Sequence, residues 1–322
     1  MSRGKTIRIL GSIILVALLV WKVDWRDLGA LVAKCDVRYL VCSAILTQAL
    51  VLTLSTRLYY MILPHGLAPS FGTVCRVTWV GQFFNSCLPG STGGDIYKIY
   101  ELCRMNPDRR PEAAAAIVAD RSFALLALLT LAVFGMLMGA LPWGQLASGS
   151  MLPSRALAYA SAVIVLLAVI ALLIILYSAR LRHRAVHLWR LIVTTLRRTW
   201  LYFGNAKRAA VVLILAVAGF VILFGAVYFI VKSLNIDVTY LQLMAFMPVL
   251  MLAVLLPVTI NGHGLREVIL IGFFTWLNLG SAQINIGPRE CAVAFSLLFV
   301  ASDFVSVIPG ACLYLFKRKR KS

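Results

Sequence analysis

Six separate apolar runs, at about 7–21, 38–62, 112–141, 156–179, 209–231 and 290–316, dominate this 322-residue chain. Several exceed the roughly 18 to 20 residues that carry a helix across about 30 Å of hydrocarbon. With 61% hydrophobic and 13% charged residues and a mean hydropathy of +0.90, the balance lies far from that of a soluble domain. No alternating ten-residue strands suggest a barrel, so backbone polar groups must be satisfied inside helices. The chain is therefore expected to be an all-α, polytopic membrane helical bundle.

A formal net charge of +19 raises nucleic acid as a partner, but the 31 Lys and Arg are sorted by membrane side. Most fall in four clusters: Arg3 to Arg8, Lys98 to Arg110, Arg180 to Arg208, and the closing Lys317 to Lys321. That is the excess of basic residues expected in cytoplasmic loops, with a secondary attraction for anionic headgroups. The expectation is a multi-pass protein of the cell membrane with both termini cytoplasmic and no nucleic-acid partner. The first apolar run lacks a small-residue cleavage site before WKVDWRD, and is expected to be a retained span. The seven cysteines are scattered without a C-x-x-C pair, so no metal or disulfide framework is implied.

Two apolar pieces remain beyond the six spans. One runs from Phe71 through Leu88 and resumes after a glycine-rich turn as DIYKIYELCR; the other runs from Tyr240 through Ile260, turns at NGHG, and resumes as LREVILIGFFTWLNLG. Both are candidate re-entrant hairpins, although the second is long enough for two further full crossings. Leu88-Pro89 before Gly93-Gly94-Asp95 matches Leu256-Pro257 before Gly262-His263-Gly264 and Arg266-Glu267. Residues 38–141 and 209–316 are thus expected to form an inverted pair within one integral membrane domain spanning 1–322, with substrate sites near the midplane. Between them, 181–205 has apolar residues at helical spacing and is expected to be an amphipathic helix in the cytoplasmic interface.

Proline and glycine at membrane depth break a helix, and broken backbone is tolerated there only inside protein or along a wet cavity. The stretch NSCLPGSTGGDIYK, from Asn85 to Lys98, is expected to be the inner end of a half-helix hairpin whose free N–H groups favour an anion. The turn from Asn261 to Arg266 is expected to make the mirror-image site. Ionisable residues inside spans are costly and point to function. Asp120-Arg121 and Asp303 lie within the third and last spans, and Arg57, Arg76 and Arg266-Glu267 complete the set. An ion pair, for example of Asp95 or Asp303 with Arg121, and a proton relay remain alternatives for the acids; Arg121 and Arg266 suit headgroup phosphate through forked hydrogen bonding. The candidate substrate-binding residues are Asn85, Gly93, Gly94, Asp95, Lys98, Asp120, Arg121, Gly262, His263, Gly264, Arg266, Glu267 and Asp303.

The run GQFFNSCLPGSTGGDIYKIYELCR, followed by AAAAIVADRSFALLAL and later by LPVTINGHGLREVIL, resembles the lysylphosphatidylglycerol synthase transmembrane family, also called flippase-like. The likeness covers nearly the whole chain. It implies a domain concerned with moving lipids between leaflets, without the soluble domain that transfers the aminoacyl group in bifunctional members. His263 stands where the family is expected to prefer a small residue, commonly glycine.

Three functions follow. The first is transbilayer movement of an anionic lipid or lipid-linked intermediate, whose headgroup is held at the broken helices. With no Walker A motif, no internal ATP source is expected; proton coupling through Asp95, Asp120, Asp303 or Glu267 and passive scrambling both remain open. The second is an intramembrane lipid-modifying enzyme using Asp95, His263 and Glu267, for which no H-E-x-x-H, G-x-S-x-G or metal cluster is present. The third is a membrane partner of a separate glycosyltransferase or acyltransferase. The leading expectation is a non-enzymatic lipid carrier with no cofactor.

Overall fold

The computed structural model describes residues 34–67, 69–87, 93–138, 206–254, 265–280 and 286–319. By internal contacts the chain divides into two compact units, Met1–Ala140 with Ala210–Ser322, and Leu141–Ala209. The described elements belong to the first unit, apart from the opening turn of α5. The expected spans at 7–21 and 156–179, the amphipathic 181–205 and the turn holding Gly262, His263 and Gly264 lie outside the described residues.

Eight α-helices are described: α1 Val37–Ile62, α2 Phe71–Cys87, α3 Gly93–Met105, α4 Arg110–Leu137, α5 Ala206–Ser233, α6 Tyr240–Val254, α7 Leu265–Trp276 and α8 Pro288–Lys319. Four of them, α1, α4, α5 and α8, are long and apolar enough to cross a membrane. The order long, short, short, long therefore occurs twice. Two of the short helices, α3 and α7, have 13 and 12 residues, about 20 and 18 Å at 1.5 Å per residue. Neither spans 30 Å alone.

Local chemistry sets the helix starts. Asp36 caps α1 by accepting from the Arg38 N–H at 2.9 Å. Thr239 and Gln242 form a reciprocal pair at the start of α6: the Gln242 Oε1 accepts from the Thr239 N–H at 2.9 Å, and the Thr239 Oγ1 accepts from the Gln242 N–H at 3.3 Å. Between α1 and α2 the chain reverses through a 3₁₀ turn, Leu63–His65, that ends at Gly66 with φ +63°. A side chain there would be strained and would also meet the Arg109 guanidinium.

Apolar burial drives helix association weakly in lipid, so close packing of small residues sets much of the arrangement. A Cβ on Gly94 of α3 would collide with the Gly81 carbonyl oxygen of α2, one on Gly310 of α8 with the Trp79 carbonyl oxygen of α2, and one on Gly135 of α4 with the Ala245 backbone of α6. Each glycine permits a backbone approach that alanine would forbid. Helices α1 and α5 run antiparallel: Asp36 donates its N–H to the Ser233 carbonyl at 2.9 Å, Tyr39 stacks on Phe229, and Leu50 meets Gly219. Helix α8 runs parallel to α1, with Ser302 beside Ser43 and the Ser306 carbonyl beside Gln48, each at 3.5 Å.

One end of the bundle is closed by a fully apolar cluster of Leu58, Ile62, Leu67, Val74, Leu102, Ala113, Ala116 and Ile117. It joins the end of α1, the start of α2, the end of α3 and the start of α4. Immediately beyond it, at Arg57 and Asp120, the interior turns polar.

Candidate functional site

The polar interior opens into a cavity of about 410 Å³. Asn85, Asp95, Lys98, Asp120, Arg121, Arg266 and Asp303, scattered over more than 200 positions of sequence, all line it. Arg57, Gln82, Ser86 and Phe299 join them, together with Leu50, Leu54, Phe220, Leu223, Met251 and Phe304. One part of the wall carries charge and amide groups, and another carries hydrocarbon.

The first hairpin builds the densest part of this wall. Asn85, near the end of α2, places its Oδ1 2.8 Å from the Gly94 N–H and so caps α3 across the turn, while its Nδ2 donates to the Gln82 Oε1 at 3.1 Å. Gly93 and Gly94 are buried at the start of α3. The Gly94 N–H, expected from sequence to be free for an anion, is thus already engaged. Asp95 in the first turn adds a carboxylate to the same helix end, where the dipole favours it. The positive charge at this end of the hairpin comes from side chains.

Asp95 is shared by two cations. The Arg121 Nε donates to its Oδ2, and the Lys98 ammonium lies 3.9 Å from its Oδ1. The Lys98 side chain is 9% exposed and that of Arg121 is 50% exposed, so the guanidinium is the accessible member. At this end of the cavity one carboxylate thus faces two basic side chains. Asp120 does not contribute to this group as a free acid, because Arg57 grips it with two bonds, Nε to Oδ1 at 2.6 Å and Nη2 to Oδ2 at 2.9 Å.

The second charged group centres on Arg266 at the start of α7. Its Nη2 donates to the Glu267 Oε1 at 2.7 Å and to the Ser296 Oγ at 3.0 Å, and the Ser296 hydroxyl donates to the same Glu267 oxygen at 2.8 Å. The guanidinium stands 5.5 Å from the Phe299 ring centre, within cation–π range. Its Nε is buried with no hydrogen-bond acceptor among the described residues. Asp303 lines the cavity from α8; its carboxylate makes no hydrogen bond or ion pair among the described residues.

Of the site expected from sequence, Asn85, Asp95, Lys98, Asp120, Arg121, Arg266 and Asp303 meet in one cavity, Gly93 and Gly94 shape its hairpin, and Glu267 holds Arg266. Of the two ion pairs suggested for Arg121, that with Asp95 forms and that with Asp303 does not. Sequence reasoning noted Arg57 only as an ionisable residue in a span and did not pair it with Asp120, 63 positions away. Gln82 is one helical turn before Asn85 and was detectable by that spacing. Nothing in the sequence marked Ser296.

The family described as the lysylphosphatidylglycerol synthase TM region matches this chain over residues 6–310. Comparison with curated proteins gave no match.

Proposed function

We propose, from the premise that the chain belongs to the lysylphosphatidylglycerol synthase transmembrane family, that it carries a phosphate-bearing anionic lipid, or a lipid-linked intermediate, between leaflets. The observation that carries this reading is the divided cavity. A charged wall formed by Arg121, Lys98 and Arg266 is continuous with an apolar one formed by Leu50, Leu54, Phe220 and Phe304. An amphiphile has the same division. Arg121 offers an exposed guanidinium and Arg266 an Nε with no acceptor among the described residues, and guanidinium groups suit phosphate oxygens.

The repeated helix order supports an inverted pair. The first helix of each set, α1 and α5, run antiparallel, and the closing helix of each set places a glycine against the first short helix of the other: Gly135 on α6 and Gly310 on α2. Two halves of opposite orientation around a central cavity suit a carrier that faces each leaflet in turn. The two short pairs, α2–α3 and α6–α7, then act as the broken hairpins, with Lys98 and Arg266 delivered from opposite halves.

The test is transbilayer movement of a headgroup-labelled anionic phospholipid in proteoliposomes, followed by loss of fluorescence to an impermeant quencher. Native protein is expected to bring the inner-leaflet label to the quencher far faster than empty vesicles, and Arg121→Ala is expected to remove most of that rate. No movement of any anionic lipid or lipid-linked sugar in a panel would defeat the reading. A new lipid species detected by mass spectrometry would replace it with a lipid-modifying enzyme.

A further inference from the structure

Among the described residues four carboxylates lie in or beside the cavity, and three are held by a cation: Asp95 by Arg121, Asp120 by Arg57 and Glu267 by Arg266. Asp303 is the exception among the described residues. Only its backbone carbonyl is engaged, accepting from the Ser306 hydroxyl at 2.6 Å.

Its surroundings offer little to fix a charge. Helices α1, α2 and α7 pack against α8. From α1 come the hydroxyl of Ser43 and the amide of Gln48, directed to Ser302 and Ser306, while Arg57 is held by Asp120 through Nε and Nη2. From α2 come the neutral Gln82 and Asn85, while Arg76 acts on Tyr97. From α7 comes Arg266, whose charge acts on Asp303 while its Nη2 is tied to Glu267 and Ser296.

Among the described residues, the basic and acidic side chains in and beside the cavity match in number. Arg57, Lys98, Arg121 and Arg266 face Asp95, Asp120, Glu267 and Asp303. An anionic headgroup entering this space adds one negative charge in a region where net charge is costly. We infer that Asp303 binds a proton when the headgroup enters and releases it when the headgroup leaves, so that one proton accompanies each lipid anion in the same direction. The proton comes from water on one side, adds to a carboxylate oxygen, and returns to water on the other; no other bond is made or broken. This inference rests on the carrier reading above and assigns its coupling site.

The experiment uses the full chain in proteoliposomes containing a headgroup-labelled phosphodiester lipid, with the pH raised on one side. The readout is the steady share of label in each leaflet. For native protein the label is expected to accumulate in the leaflet facing the alkaline side, by at most about tenfold per pH unit, since one unit and one decade are the same free energy. Asp303→Asn is expected to show no response to the gradient at whatever rate it still exchanges lipid, and Asp303→Glu, which keeps the carboxyl, to restore the response. Should Asp303→Asn fail to fold, Asp303→Ser, which also lacks the carboxyl, takes its place, and native protein decides the coupling through its own gradient response. Native protein that exchanges lipid with no gradient response overturns proton coupling and leaves the carrier intact. No exchange at all overturns both. An unchanged gradient response in a folded Asp303→Asn overturns the assignment to this residue, as does a loss confined to amine-bearing lipids at every pH, which would make Asp303 the partner of a headgroup amine.

Discussion

The guanidinium of Arg57 and the carboxylate of Asp120 face each other as a bidentate pair at 2.6 and 2.9 Å, with only 5% and 12% of their side chains exposed. They join α1 to α4 where the apolar cluster around Leu58 and Ile117 gives way to the charged cavity. Two ions taken together out of water require this fork of hydrogen bonds, because neither is tolerated there alone.

Removing either partner should therefore be worse than removing both. Arg57→Met or Asp120→Leu alone is expected to lose about 3–5 kcal/mol of stability, and the double variant to recover most of it. Thermal unfolding in detergent measures this. Single variants as stable as native protein would show that the pair is not buried as described. Lipid movement by the double variant would further place Asp120 in the scaffold rather than at the headgroup.

Arg121 makes the opposite case. Its side chain is half exposed to the cavity and shares Asp95 with Lys98, so its loss removes one of two basic side chains there without leaving a buried ion unpaired. Arg121→Ala is expected to fold normally and to slow lipid movement by about tenfold or more, the size of one charge-assisted hydrogen bond. Arg121→Lys keeps the charge but not the fork and should fall between. Equal rates for all three proteins in the quencher assay would remove Arg121 from the site.

Glycine substitutions should divide by what the new methyl meets. At Gly94 it meets the Gly81 backbone carbonyl, which cannot swing aside, and Gly94→Ala is expected to cost about 1–3 kcal/mol through forced displacement of α3 from α2. Gly310→Ala should behave alike against Trp79. At Gly272 nothing among the described residues lies within 4 Å, and alanine there should be neutral or raise stability by up to about 1 kcal/mol through helix propensity. Unfolding midpoints for the three variants check the order.

Ser296 links both members of the Arg266–Glu267 pair, at 3.0 and 2.8 Å. Ser296→Ala breaks two bonds to ionised groups and is expected to cost about 1.5–3 kcal/mol, while Ser296→Thr keeps the hydroxyl and most of the stability. If alanine and threonine unfold at the same temperature, the hydroxyl is not what positions Arg266.

The four described long helices were legible from hydropathy to within four residues at each end: runs expected at 38–62, 112–141, 209–231 and 290–316 appear as Val37–Ile62, Arg110–Leu137, Ala206–Ser233 and Pro288–Lys319. Both short pairs were legible too: Leu88-Pro89 and Leu256-Pro257 fall between α2 and α3 and between α6 and α7, whereas Pro248 and Pro309 lie inside α6 and α8. The cavity was visible only as a set of unusual residues. Asp95, Asp120, Glu267 and Asp303 look alike in sequence, each an acid in or beside an apolar stretch.

Partition between water and hydrocarbon is a local property summed along a helix, so the chain alone determined which segments enter the membrane and where they break. Ion pairing depends on distances between segments that are remote in sequence and on the orientation of each helix. Only the tertiary structure could decide that Arg57 engages Asp120, that Arg121 and Lys98 share Asp95, that Ser296 ties Arg266 to Glu267, and that Asp303 is left with no such partner among the described residues. The close approaches at Gly94, Gly135 and Gly310 belong to the same class, because the need for a missing side chain arises from a neighbouring backbone that the local sequence does not contain.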